Sequence, residues 1–277
     1  MKVNLFLVGV AKSATNSIFD LLSGHPEICP CDIKEVEFFA RKDTAKELEL
    51  NSYHDLFKCT DSKYYLDASD LYSSSKENRA IAEQIFSYNP EARILYCIRN
   101  PIERIQSQHW HDYNRGWTRI RDINQAVSVR NYIQDSMYFS NLQPYIELFG
   151  KEQISVLLFE DLRKKPEVIT TKLAAFLELK SIGFKKSTVH SNKSGSLHWI
   201  NHRFDRFVFN PFSQKMKNLV PVRIQIFVKE LLIRSSKRLK DRPELNEIKI
   251  NEIKSILLPE IKKIEEFTGF DLSHWYK

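Results

Sequence analysis

Hydrophobic and polar positions along the chain fall into two kinds of run. Leu5-Phe6-Leu7-Val8, Arg93-Ile94-Leu95-Tyr96-Cys97-Ile98 and Ile154-Ser155-Val156-Leu157-Leu158-Phe159 are short and almost continuously apolar. Runs of that length and composition predict strands buried on both faces, as in a parallel sheet. Tyr64-Tyr65-Leu66-Asp67 predicts a further short strand ending at Ala68-Ser69-Asp70. Between these runs the apolar positions recur at helical spacing. One predicted helix opens at Thr15-Asn16-Ser17 and turns Ile18, Phe19, Leu21 and Leu22 to one face. Others are predicted from Ser75 to Tyr88, from Pro101 onward, from Asp135 to Phe149 and from Pro166 to Leu179. His25-Pro26-Glu27 reads as a turn, and the stretch from Lys42 to Cys59 reads as polar surface, helical or irregular. From Trp199 the chain looks helical, and Leu245 to Phe267 pairs an apolar stripe with a charged face. Strands alternating with helices predict an α/β fold: a central, mainly parallel sheet flanked by helices, with a helical C-terminal extension.

Composition narrows this picture only a little. The 277 residues suit one domain, with an α/β core over residues 1–195 and a mainly helical extension over 196–277. A net charge of +7 favours anionic partners such as nucleotides, acidic glycans or a membrane surface, although a lysine-rich surface accounts for much of it. The N-terminal apolar run is too short for a membrane span, and it leads straight into a lysine-bearing loop. The expectation is therefore a cytoplasmic protein whose four cysteines (Cys29, Cys31, Cys59 and Cys97) are reduced thiols. Cys29-Pro30-Cys31 is too tightly spaced for a zinc knuckle, and no metal site is expected.

The junction after the first strand carries the candidate chemistry. Gly9 ends the run, Val10-Ala11-Lys12-Ser13-Ala14 forms a short loop, and a helix begins. A helix N-terminus has unpaired N–H groups and the positive end of a dipole, so it attracts phosphate-like anions. Lys12 adds a charge, and Ser13, Thr15, Asn16 and Ser17 add short donors. The pattern also reads as a plain N-cap. It differs from the nucleotide-triphosphate loop G-x-x-x-x-G-K-[ST], because Lys12 follows Gly9 by three residues and no second glycine precedes it. A second cationic junction, Arg99-Asn100-Pro101, closes the strand at Ile98, with Ser107 about two turns into the next helix. Ligands of open α/β sheets bind at the carboxyl ends of strands. Two such junctions side by side would suit a ligand with two separated anionic groups.

These residues carry a family resemblance. GVAKSATNSIFDLL, followed by HPEI and KEVEFF, resembles the 5′-phosphosulfate loop of sulfotransferases that use 3′-phosphoadenosine-5′-phosphosulfate (PAPS). RILYCIRNPIERIQSQH resembles their 3′-phosphate motif, and SMYFSNLQPYIELFGKEQISVLLFEDLRKKPEVITTKLAAFLEL resembles the middle of bacterial and heparan-type members. The likeness runs from Val3 to Ser194, about two thirds of the chain. It implies a P-loop-like sulfotransferase fold, PAPS as co-substrate, adenosine 3′,5′-bisphosphate as product and no metal. It also implies in-line transfer of a sulfuryl group to a hydroxyl or amine of a carbohydrate, glycolipid or small alcohol, with no nucleic-acid partner.

Carried over by position, Lys12 would bind the 5′-phosphosulfate, with Ser13, Ala14, Thr15, Asn16 and Ser17 donating around it. Arg99 and Ser107 would bind the 3′-phosphate. Glu35 would be the general base, with Glu37 the competing choice. His111 matches a histidine of the N-sulfotransferase branch or is a surface residue; Asp67 either helps place the acceptor or caps a strand end. Lys193 and Ser194, in HSNKSG, resemble a loop that closes over the donor. The chain departs from the pattern at Ala14, where glycine is usual, so that either the loop is a little tighter or its backbone does not need positive φ. It departs also at Ala68, which replaces a lysine, and in HSNKSG, which lacks the fuller basic-glycine loop.

Bland readings cover several neighbours. His109 is expected to be structural, Arg104 and Glu103 a helix-surface pair, and Tyr138 and Phe139 core. Two other functions compete: a P-loop kinase or NTPase, and a non-catalytic glycan- or membrane-binding protein. The second would use the basic amphipathic stretch from Val222 to Lys240, which reads equally as a core-packing helix with a lysine face.

Overall fold

The sheet is short-stranded and wholly parallel. In a computed structural model, which describes residues 1–40, 47–73, 76–180 and 242–277, the strands are β1 (Leu5–Leu7), β2 (Ile28–Pro30), β3 (Tyr64–Ala68), β4 (Arg93–Ile98) and β5 (Ile154–Leu158). They lie in the order β2-β3-β1-β4-β5, each neighbouring pair parallel. β1 is fully buried, and β4 is buried after its first residue. Burial on both faces explains their unbroken apolar sequence. β2 was not foreseen. Its proline is tolerated because β2 is an edge strand, where a missing N–H leaves no gap in the ladder.

The described residues divide into two compact units, each built from separate stretches. The first comprises the described residues of Met1–Arg104, residues 133–180 and Asn251–Lys277. It holds the sheet, the helices α1 (Thr15–Ser23), α2 (Glu47–His54) and α3 (Asn78–Tyr88), and the start of α4 (Pro101–Asn114). Ile18, Leu21 and Leu22 of α1 pack with Leu5, Leu7, Leu66, Leu95 and Leu157 of the strands. The second comprises Ile105–Tyr132 and residues 242–250, and holds the rest of α4 and α5 (Ile123–Val129). In chain order there follow α6 (Tyr138–Phe149), α7 (Phe159–Lys164), α8 (Pro166–Leu177) and α9 (Glu247–Thr268). No helix among the described residues is long and apolar enough to cross a membrane. The expectations for Ser75, for the stretch from Trp199 and for Val222 to Lys240 lie outside the described residues.

Local structure departs from the sequence expectation where a tertiary contact intervenes. α6 starts at Tyr138 rather than Asp135, because Gln134–Ser136 forms a separate tight turn. In that turn Ser136 Oγ accepts a 2.8 Å bond from Arg104 Nε. Arg104 is therefore no helix-surface partner of Glu103: it is fully buried, and its guanidinium also donates to the Ala11 carbonyl at 3.4 Å. Nor are all cysteines free thiols. Cys29 of β2 and Cys59 are joined in a disulfide, with Cα atoms 5.7 Å apart. The parallel pairing of β2 with β3 brings these distant positions together. Cys31 and Cys97 are free and buried.

Asp67 takes neither role read from the sequence. It points from β3 into the interior, wholly buried, and accepts from the hydroxyls of Tyr53 (2.8 Å), Tyr72 (2.8 Å) and Ser69 (3.0 Å). Burial pushes its carboxyl up to about 6 against the pull of these three donors. Removing the acceptor strands three hydroxyls, each costing on the order of 1 kcal/mol or more. Asp67→Ala should therefore lower stability by roughly 3 kcal/mol in denaturant unfolding followed by tyrosine fluorescence or circular dichroism. A loss within about 0.5 kcal/mol would show that the network does not hold β3.

Candidate active site

Four strand ends converge on one edge of the sheet, and the residues after them form the site. β1 sits between β3 and β4. The chain leaves β1 toward the β2 edge, whereas it leaves β4 toward β5. Diverging connections of this kind open a crevice at the carboxyl ends of the strands.

The loop after β1 is held by β4 and shaped by backbone strain. Val8 N–H donates to the Leu95 carbonyl and Val10 N–H to the Cys97 carbonyl, both at 3.0 Å, so the parallel ladder continues past β1. Gly9 has φ +139°, and a Cβ there would lie 2.2 Å from Ser73 Oγ, which leaves room only for glycine. Lys12 (φ 70°) and Ala14 (φ 68°) are left-handed. Positive φ at Ala14 rules out the alternative in which the backbone has no such requirement; the strain is of the order of 1 kcal/mol per residue. Ala14 precedes α1 without a side-chain cap, so the first-turn N–H groups of Thr15, Asn16 and Ser17 stay available to a ligand. Ser13 Oγ is buried with no hydrogen-bond partner among the described residues. A buried orphan hydroxyl inside an anion loop fits an anionic ligand that completes it.

Arg99 meets this loop directly. Its Nη1 donates to the Lys12 carbonyl at 3.4 Å, Nη2 pairs with Glu103 at 2.7 Å, and the guanidinium lies 4.2 Å from the Phe159 ring centroid. The Tyr138 hydroxyl donates to the Arg99 carbonyl at 2.6 Å, so this buried residue also supports the site's backbone. Asn100 caps α4, its Oδ1 accepting from the N–H groups of Ile102 (3.0 Å) and Glu103 (3.3 Å). The predicted juxtaposition of the two cationic junctions is thus present.

Glu35 lies after β2, on the far side of β1 from Arg99. Its own backbone is left-handed (φ 61°), as is that of Glu37 (φ 53°). Its N–H reaches the Ala68 carbonyl at 2.9 Å, at the end of β3. One carboxylate oxygen pairs with Lys34 at 2.5 Å, and the other accepts the Asp70 N–H at 2.7 Å. Asp70 in turn accepts from Thr15 Oγ1 at 3.1 Å. This chain of contacts links Glu35 to the first turn of α1. Glu37 instead gives its N–H to Ser69 Oγ at 3.1 Å. Four of the six non-glycine residues described with positive φ lie in these two loops, and concentrated strain marks functional segments.

Asp70 is the site residue that sequence reasoning missed. Its residue surface is partly exposed, but its Oδ1 is buried without a partner. Burial first, and then the Glu35 charge, push its carboxyl up to about 6, while Lys34, the Thr15 hydroxyl and Lys12 pull the other way. The only signal in the sequence was its place just past a strand end. Ser107 and His111 lie further along α4, among the residues of the second unit, and both are half-buried. His111 Nδ1 is 3.6 Å from Asp112, and its ring stands edge-on to Trp117. His109 is structural as expected: buried, with Nε2 2.9 Å from the Ile120 carbonyl. Lys193 and Ser194 lie outside the described residues.

A parallel α/β sheet with an anion loop after its central strand and an arginine from the neighbouring strand defines the P-loop-like class of anion-binding folds. The family model of the sulfotransferase domain matches residues 2–218, and the chain belongs to that family. It is 22% identical over 263 residues to carbohydrate sulfotransferase 15 of Rattus norvegicus, covering 70% of this chain and 46% of that protein. It is 23% identical over 209 residues to the bifunctional heparan sulfate N-deacetylase/N-sulfotransferase 1 of Caenorhabditis elegans, covering 69% of this chain and 24% of that protein. The chain thus spans under half the length of these relatives. Its fold matches the crystal structure of a sulfotransferase from Alicyclobacillus acidocaldarius with a TM-score of 0.72 and 19% identity, over 100% of both chains.

The raised Asp70 carboxyl gives a pH prediction with a definite sign. A carboxyl raised from 3.8 to about 6 favours folding most below the unfolded value, and that contribution is lost as pH rises toward about 6. Asp70→Asn keeps an acceptor for Thr15 and cannot ionise. The variant should gain stability relative to the parent between pH 4 and 6, as read by urea unfolding at pH 4.5 and pH 7. A constant difference between the two proteins across that range would contradict the assignment.

Proposed function

We propose that the chain transfers a sulfuryl group from PAPS to a hydroxyl or amine of a carbohydrate-type acceptor, by in-line displacement. The observation that carries this reading is the 3.4 Å contact of Arg99 with the Lys12 carbonyl. It sets the two cationic junctions next to each other at adjacent strand ends, which supports a ligand with two separated anionic groups. The co-substrate supplies an activated sulfuryl group and a phosphate leaving group.

The chain's residues supply the rest. Glu35 accepts the proton of the attacking hydroxyl or amine, and the Asp70 N–H and Lys34 hold that carboxylate in place. Lys12, the Ser13 hydroxyl and the first-turn N–H groups of α1 oppose the negative charge that grows on the departing phosphate oxygen. Arg99 offers a planar fork for the 3′-phosphate. Fixed positions and fixed dipoles account for most of the rate gain. A carbohydrate acceptor is favoured by the relatives, whose names specify carbohydrate and heparan sulfate sulfotransferases.

One contact favours the nucleotide-triphosphate alternative. Thr15 Oγ1 and Asp70 Oδ2, 3.1 Å apart at adjacent strand ends, resemble the hydroxyl–acid pair that holds magnesium in P-loop NTPases. The short loop with a single glycine argues against it.

Titrating adenosine 3′,5′-bisphosphate and ATP into the protein by calorimetry separates the two readings. The bisphosphate should bind at least about tenfold tighter, a difference of about 1.4 kcal/mol; preferential ATP binding that requires magnesium would reverse the ranking. With labelled PAPS and a panel of polysaccharides, glycolipids and small alcohols, Lys12→Ala and Glu35→Gln should each cut turnover by about two orders of magnitude or more. Near-normal turnover in Glu35→Gln would remove Glu35 as the base.

A further inference from the structure

The second unit carries a surface that the proposed reaction leaves without a task. α4 ends at Asn114, and the chain passes through Arg115 and Gly116 into an irregular segment before α5. Exposure alternates along it. Trp117, Arg119 and Arg121 are exposed, Trp117 by 57%, whereas Thr118 is buried and Ile120 half-buried. The three exposed residues fall within five consecutive positions, so their backbones lie within roughly 15 Å of one another.

The backbone beneath them is held firmly. The N–H groups of Trp117 (2.8 Å) and Thr118 (3.4 Å) both reach the Asp112 carbonyl, and the Ile120 carbonyl lies 2.9 Å from buried His109 Nε2. The buried Asp112 carboxylate accepts from Tyr132 (3.0 Å) and Gln108 (2.8 Å), and Asp122 caps α5 through the Asn124 N–H at 2.9 Å. A large indole left open on so constrained a segment is a feature of interaction surfaces. Its ring stands 5.1 Å from that of His111. Neither Arg119 nor Arg121 forms an ion pair with a described residue.

The chemistry specifies the occupant. A flat aromatic face suits the C–H face of a sugar ring, and guanidinium forks suit carboxylate or sulfate groups beside it. A single-stranded nucleic acid also offers flat rings and anions. Proteins that bind it stack successive bases on several aromatic residues, and this segment presents one indole among arginines.

We propose that Trp117, Arg119 and Arg121 form a binding ledge for an acidic polysaccharide acceptor, the indole against a sugar face and the guanidiniums on its carboxylate or sulfate groups. The proposal rests on the sulfotransferase reading, since it assigns the ledge to the acceptor. The test titrates heparin, neutral dextran and a single-stranded oligonucleotide into the full chain at two salt concentrations, with adenosine 3′,5′-bisphosphate titrated into the same samples. Heparin should bind and dextran should not. Arg119→Ala/Arg121→Ala should weaken heparin binding about tenfold or more and flatten its salt dependence, because two released counterions are lost. Trp117→Ala should weaken it about fivefold. Bisphosphate binding should be unchanged in all three variants.

No heparin binding by the parent, undiminished binding in the double variant, or tighter oligonucleotide binding through the same residues would each overturn the proposal. Heparin binding through the ledge by a chain that ignores the bisphosphate would support the ledge and overturn the donor reading instead.

Discussion

The structure depends on one constraint: the loop between β1 and α1 must double back tightly while remaining in register with β4. Two backbone bonds from Val8 and Val10 extend the ladder past the end of β1. Gly9 then supplies a conformation and a closeness to Ser73 that no side chain permits. Two further left-handed residues, Lys12 and Ala14, bring the chain to the start of α1. Such a path is unfavourable alone and persists because its surroundings determine it. Burial of Leu5, Leu7 and the α1 leucines anchors both ends. Arg104, fully buried, and Arg99, at the strand end, each donate to a loop carbonyl.

The loop's strain and its chemistry share a cause. Carbonyls that turn toward the two arginines leave N–H groups and the Ser13 hydroxyl for a ligand. The same arrangement explains why acidic groups can be held so near. Glu35 and Asp70 repel each other, yet Lys34, Lys12 and the Thr15 hydroxyl offset part of the cost. Such an arrangement fixes carboxylate, cation and helix dipole relative to one another by the protein's own contacts.

Much of this was legible in the sequence for a simple reason. A strand buried on both faces must be apolar throughout, so β1, β4 and β5 announce themselves, and the helices follow from their periodicity. The junction after β1 was legible because Gly9 ends the apolar run and a helical pattern follows, and the position of Arg99 because it ends a strand. β2 was not legible: three residues containing a proline carry no periodic signal, and an edge position alone makes them a strand. Arg104 was misread as a surface partner of Glu103 because helix spacing gives neighbours along a helix and says nothing about which face meets the Gln134–Ser136 turn.

The chain's pattern by itself therefore determined the parallel α/β class, the family, and the strand–loop–helix junction after β1, since each is encoded over neighbouring positions. Tertiary structure alone decided which distant groups meet. It put Asp67 among tyrosine hydroxyls rather than at an acceptor, joined Cys29 to Cys59, and made Asp70 the link between Glu35 and Thr15. Those pairings depend on strand order and register, and both are set by the packing of the whole sheet and its helices.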